Sequence, residues 1–178
     1  MNKKVKYEIL EWIKTISFSL ILVIGITFMV QPTIVNGQSM HPTLENKDYL
    51  FVNKLAYRAE SPERGDIIVF NTKLIDKKSN KKKDLVKRVI ALPGEHIVIK
   101  NSKVYIDGEL LDESYINGVY TSGDIDIIVP ENHIFTMGDN RPYSGDSRNS
   151  EVGTISLDDV VGKVSIRLYP FDKLGTVN

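Results

Sequence analysis

Leu85-Val86-Lys87-Arg88-Val89-Ile90-Ala91-Leu92-Pro93-Gly94 is a short apolar run, rich in β-branched residues, closed by a Pro-Gly turn. A run of that length bounded by a turn reads as a strand rather than a helix. The pattern recurs along the chain at 49–52, 67–70, 97–99, 104–106, 125–129 and 160–168. Turn signals separate the runs: Arg64-Gly65-Asp66, Asn101-Ser102, Asp107-Gly108, Ser122-Gly123-Asp124 and Gly138-Asp139-Asn140. No window beyond residue 35 holds a sustained 3.6-residue apolar period. A mainly β domain follows, arranged as a sandwich or a partly closed barrel, without internal repeats.

Upstream lies the one long apolar segment. No charge falls between Lys14 and Glu45, and residues 16–30 are mostly Ile, Leu, Val, Phe and Met. Extended to Val35, the stretch reaches the roughly 20 residues that cross a bilayer. Lys3, Lys4, Lys6 and Lys14 precede it, and no Lys or Arg follows until Lys47. The positive-inside rule then predicts a cytoplasmic tail at 1–14, a transmembrane signal-anchor helix at 15–35 and an extracytoplasmic β-rich domain at 36–178. A cleavable signal peptide is the rival reading, with Val35 and Gly37 as small residues at its cut. Against it stand the long basic start and the absence of Ala-x-Ala. Both readings put the domain outside the cell membrane, and the anchor reading adds membrane lipid as a partner.

Composition narrows the chemistry. The chain has 178 residues, with 23 basic against 23 acidic side chains, so net charge points to no nucleic-acid partner. The absence of cysteine excludes disulfides, thiol nucleophiles and Cys-based zinc sites. His41, His96 and His133 show no ligand spacing, and no metal or other cofactor is expected. One charge run stands out: Lys73, Lys77, Lys78, Lys81, Lys82 and Lys83, opposed by Asp76. It reads as a solvated loop between two strands, or as a contact for anionic headgroups or wall polymers.

Ser39, in Gly37-Gln38-Ser39-Met40-His41-Pro42-Thr43-Leu44, follows closely on the apolar segment. A serine needs a base to become a nucleophile, and no G-x-S-x-G elbow or catalytic histidine context is present. A lysine made neutral by burial can serve instead. Strand alternation gives Lys87 the apolar companions Leu85, Val89 and Ala91, whereas Arg88 faces away and stays protonated. The plainer reading makes Lys87 one polar tooth of a half-exposed strand. The stretch Gly138-Asp139-Asn140-Arg141-Pro142-Tyr143-Ser144-Gly145-Asp146-Ser147-Arg148 is equally open: a turn-rich structural loop, or one whose Ser144 orients the lysine.

Four boxes in this order resemble type I signal peptidases: Ser39-Met40-x-Pro42-Thr43-Leu44, Arg64-Gly65-Asp66-Ile67-Ile68-Val69-Phe70, 87–95 beginning Lys87-Arg88-Val89, and Gly138-Asp139-Asn140 through Ser144-x-Asp146-Ser147-Arg148. With the apolar segment they organise nearly the whole chain, in the Gram-positive form. The resemblance implies a β catalytic core with a small β extension, acting on the signal peptides of preproteins after a small-x-small motif. It makes Ser39 the nucleophile, Lys87 the general base and Ser144 the lysine's hydrogen-bond partner. Asp139 pairs with Arg88, and Asp146 with Arg148. Gly37 stands where Gram-negative members carry a serine hydroxyl, so the oxyanion donors are expected to be backbone N–H groups of Ser39 and the Gly37 region. The substrate is expected to lie as an added strand over shallow pockets lined by Val35, Met40, Leu44, Leu85 and Val86. The other classes are a non-catalytic anchored β domain and a self-cleaving Ser-Lys repressor. The second would need a DNA-binding module. A housekeeping and a client-dedicated peptidase read alike.

Overall fold

A computed structural model describes residues 3–58, 60–75 and 80–177. It opens with a 27-residue helix, α1 (Lys3–Met29), followed by twelve strands among the described residues. These are β1 (Val30–Ile34), β2 (Tyr49–Asn53), β3 (Ile67–Ile75), β4 (Lys82–Ala91), β5 (His96–Lys100), β6 (Lys103–Ile106), β7 (Glu109–Leu110), β8 (Ile125–Ile128), β9 (His133–Met137), β10 (Ile155–Ser156), β11 (Val160–Tyr169) and β12 (Gly175–Thr176).

The helix differs in extent from the expected 15–35. It starts near the N-terminus and stops at Met29, and Val30–Ile34 pairs with β2 instead. Pro32 is the physical reason. It lacks an N–H and clashes with a helical carbonyl, and it disfavours the α conformation at Gln31. An outer strand tolerates it, and β1 is the terminal strand of its sheet. At 1.5 Å per residue α1 is roughly 40 Å long. Its apolar side chains are exposed, Phe18 at 69% and Ile21 at 69% among them.

The larger sheet runs β1-β2-β11-β3-β4-β9-β10, with β12 paired to β11, and every pairing is antiparallel. The smaller sheet, β7-β6-β5-β8, is the small β extension. One buried cluster gathers Leu50, Val52, Val69 and Val164 with residues of the β1–β2 loop. A second joins the two sheets through Ile90, Ala91, Ile97, Phe135 and Met137. A third holds Ile68, Phe70, Val89 and Ile134 on the other face.

Strand alternation in β4 holds as far as Val89 and then fails. Val89 stands opposite Thr136 and Ala91 opposite Phe135, so β4 carries one extra residue against β9. That bulge turns Ala91 away from Leu85 and Val89 and into the second cluster beside Ile90. The 133–137 run escaped the sequence reading, yet as β9 it flanks β4 and feeds directly into the 138–148 loop.

Candidate active site

Ser39 sits in the β1–β2 loop. Val35 on one side and Met40 and Leu44 on the other are buried in the first cluster, each burial contributing about 1.5–3 kcal/mol. The loop is thereby pinned at both ends with Ser39 between. His41 N–H donates to the Gln38 carbonyl at 3.1 Å, tightening the chain around the serine. Gly37 has φ +115°, a region side chains rarely adopt. An added Cβ there would meet nothing within 4 Å, so backbone conformation rather than close approach requires the glycine. The Gly37 N–H is taken by Asn46 Oδ1 at 3.0 Å. Among the described residues the Ser39 N–H has no acceptor.

Lys87 reaches this loop from β4. Its side chain is buried, and Nζ lies 2.7 Å from Ser39 Oγ and 2.8 Å from the Val86 carbonyl. Burial pulls the amine down from 10.5 to about 8, helped by the Lys83 charge and opposed by Asp146 and Asp139. An amine so shifted is neutral in a useful fraction near neutral pH and can accept a proton from the hydroxyl it touches.

The 138–148 loop closes over the pair. Arg88 forks onto Asp139, Nε at 3.0 Å and Nη2 at 2.8 Å, with both side chains buried. Thr43 Oγ1 donates to the same carboxylate at 2.5 Å, and the guanidinium lies 4.2 Å above the Tyr115 ring. Removing one member of such a buried pair strands the other charge, at roughly 3–5 kcal/mol. Asp146 accepts from Arg148 Nε and Nη2, both at 2.8 Å, and from the Gly138 N–H at 3.0 Å. Burial disfavours the Asp146 charge, but the Arg148 guanidinium outweighs it and holds the carboxyl below the usual range.

Ser144 lies beside the dyad without the hydrogen bond to Lys87 expected of it. Its Oγ is buried and meets no partner in hydrogen-bond geometry. Among the described residues Lys87 Nζ meets Ser39 Oγ and the Val86 carbonyl instead, while the Ser144 hydroxyl packs against Gly138 and its O–H dipole helps to hold the Asp146 carboxyl low. Asn140, read from the sequence only as a turn residue, clasps the nucleophile loop. Its N–H donates to the Ser39 carbonyl at 3.0 Å and its side-chain amide to the Gln38 carbonyl at 2.9 Å. Arg141 is likewise new: fully buried, it binds Glu113, Thr121 Oγ1 at 2.5 Å and the Gly138 carbonyl at 3.1 Å. The segment beside the small sheet thus braces the loop through Glu113 and Thr121. No sequence spacing signals contacts this remote.

Between the β1–β2 loop and β4 runs a cleft of about 510 Å³ with Ser39 and Lys87 in its lining. Val35, Met40, Leu85 and Val86 line it, as do Ile34, Val69 and Leu74, with exposed Tyr143 at its mouth. Leu44 does not: it is wholly buried in the first cluster, where it holds the loop. Among the described residues the outer edge of β1 is unpaired, and β4 pairs with β9 only from Arg88 onward, so both walls present free backbone to the cleft. Among the described residues no group of His, Asp and Glu is placed to hold a metal ion.

A β domain whose cleft joins a serine hydroxyl to a buried amine, at the end of a long apolar helix, defines a mainly β hydrolase. Comparison with known proteins narrows the class. The family model described as signal peptidase, peptidase S26, matches residues 9–169. Signal peptidase I P of Bacillus subtilis subsp. natto is 39% identical, covering 97% of this chain and 96% of its own. Signal peptidase IB of Staphylococcus aureus strain COL is 36% identical, covering 94% and 93%. A crystal structure of a signal peptidase I from Enterococcus faecalis V583 is 29% identical, with a TM-score of 0.49, covering 60% of this chain and 98% of that one. The chain belongs to the signal peptidase family, peptidase S26, whose members are serine peptidases, and signal-peptide removal is the activity this membership supports.

Proposed function

We propose that this chain is a membrane-anchored endopeptidase that cuts signal peptides after a small-x-small motif, using Ser39 as nucleophile and Lys87 as general base. The observation that carries the reading is the 2.7 Å approach of a buried Lys87 Nζ to Ser39 Oγ in the lining of the cleft. In the first step Ser39 Oγ attacks the scissile carbonyl carbon and its proton passes to neutral Lys87. The Ser39 N–H, which has no acceptor among the described residues, donates to the developing oxyanion. Lys87 then protonates the departing amine of the mature protein. A water deprotonated by Lys87 next attacks the acyl carbon, and the signal peptide leaves as a carboxylate.

The substrate extends the sheet between β1 and β4, each lending free backbone groups. Alternate side chains enter the space lined by Val35, Met40, Leu85 and Val86, which accepts alanine and excludes larger groups. Helix α1 holds the cleft at the membrane, with the basic tail cytoplasmic and the β domain outside. The test is cleavage of a preprotein ending its signal in Ala-x-Ala, followed by mass spectrometry of both products. One cut directly after the motif is expected, lost when the final Ala becomes Leu. Unchanged cutting of the Leu variant would sink the specificity argument.

Dependence on pH is a separate expectation. The neutral amine is the active form, and its folded value lies near 8. Below that value kcat/KM is expected to rise about tenfold per pH unit, levelling off above it. A flat profile from pH 6 to 9 would remove Lys87 as the base.

A further inference from the structure

The hairpin of β3 and β4 outruns its neighbours. It carries Lys73, Lys81, Lys82 and Lys83, all exposed, with Ile75 53% exposed among them and paired across the strands to Lys82. Among the described residues none of these four ammonium groups forms an ion pair, and the acidic neighbour Asp84 is held by Asn71 Nδ2 at 3.0 Å. Lys77 and Lys78 of the same run lie outside the described residues.

Topology decides where this patch lies. Four successive antiparallel pairings separate β1 from β4, so the two strands point the same way. One ladder row runs Val30–Asn53–Lys163–Ile68–Lys87. Lys82 and Lys81 precede Lys87 along the chain, and α1 precedes Val30, so Lys81, Lys82 and Lys83 lie towards the end of the sheet at which α1 joins. The cleft agrees: Thr33 and Ile34, just past the helix, share its lining with Lys82 and Lys83. Lys54, whose N–H donates to the Met29 carbonyl at 2.9 Å, adds another basic residue at the junction.

We infer that the β3–β4 hairpin is a docking surface for anionic phospholipid headgroups. The four lysines meet phosphates at the surface from which α1 emerges, and exposed Ile75 enters the interfacial layer between them. Two attachments, helix and hairpin, then fix the orientation of the cleft relative to the bilayer. The inference rests on α1 crossing the membrane.

Tryptic nicking tests it, because Lys81, Lys82 and Lys83 are themselves exposed cleavage sites. Full-length protein is reconstituted into phosphatidylcholine vesicles with or without about 30% phosphatidylglycerol. Nicking in the hairpin is then scored against nicking at exposed Lys103 in the smaller sheet. Anionic lipid is expected to slow hairpin nicking tenfold or more relative to Lys103, and 0.5 M salt to reverse this. Each lysine contributes about fivefold to surface affinity, so K73Q/K81Q should weaken the contact on the order of 25-fold and bring hairpin nicking on anionic vesicles to within about twofold of its rate on phosphatidylcholine alone. The same variant in neutral detergent should retain kcat/KM on a short soluble peptide within about twofold, since neither residue lines the cleft. Equal relative nicking with and without phosphatidylglycerol overturns the proposal. So does a tenfold loss on the soluble peptide, which would assign the lysines to substrate. Failure of the protein to float with carbonate-washed vesicles refutes the anchor instead, and protein that floats while its hairpin is nicked at the unprotected rate refutes the hairpin alone.

Discussion

Lys87→Met is expected to abolish cleavage and to leave a more stable protein. Loss of a dyad member costs activity on the order of 10⁴-fold or more, because the serine keeps its proton. The stability effect runs the other way. The folded value of Lys87 is about 8 against 10.5 for the free side chain, so the unfolded chain holds the proton more tightly. Stability therefore rises with pH between about 8 and 10.5, and below 8 the full penalty is present, about 3 kcal/mol from the shift. Methionine fills the same space without a charge. At pH 7 it should add on the order of 1–3 kcal/mol, seen as a higher Tm of the full-length protein in detergent, and the gain should shrink by pH 10. Ser39→Ala should match the loss of activity without the stability gain. Cleavage by either variant above 1% of the parent rate, or a Lys87→Met protein less stable at pH 7, would contradict this account.

Gly138→Ala is the second large effect, although residue 138 touches no substrate in the proposed mechanism. A Cβ on Gly138 would lie 2.3 Å from the Ser39 carbonyl oxygen and 2.3 Å from Ser144 Oγ. Neither neighbour can give way freely. The Ser39 carbonyl is held by the Asn140 N–H, and Ser144 is packed into the closed loop. The nucleophile's own peptide must shift, and displacement of a reacting group by about 1 Å costs on the order of 10²-fold. The strain itself should cost about 1–3 kcal/mol of stability. A fall in kcat with KM little changed is expected, together with slower acylation of Ser39 by a small serine-reactive probe. An Ala variant that turns over and acylates like the parent would show that the loop yields without moving Ser39.

What the sequence made readable was chemistry attached to local pattern. Leu85 to Leu92 announced a strand because its β-branched residues end at a Pro-Gly turn, and the serine and lysine stood out against a chain without cysteine or clustered histidine. Legibility stopped where the third dimension entered. Nothing local marks Ile90 as a bulge, so alternation misplaced Ala91. Leu44 looked like pocket lining because it is apolar and near Ser39, but a side chain that pins the loop must point inward, away from the cleft. Pro32 breaks the helix, yet that the residues around it pair with β2 depends on a partner with no sequence mark. The clasp of Asn140 and the brace from Arg141 to Glu113 join positions 102 and 28 residues apart. A single sequence offers no way to see them.

The order of strands in the large sheet makes one segment its keystone. Val160–Tyr169 lies between β2 and β3 and is the seam between the β1–β2 pair and the β3–β4 pair. Without it, the half of the sheet that leads to Ser39 and the half that carries Lys87 are not joined within the sheet. The approach of the two side chains is therefore a property of the completed sheet and of neither pair alone: a chain interrupted before residue 160 would hold both residues without the strand that brings them into one frame.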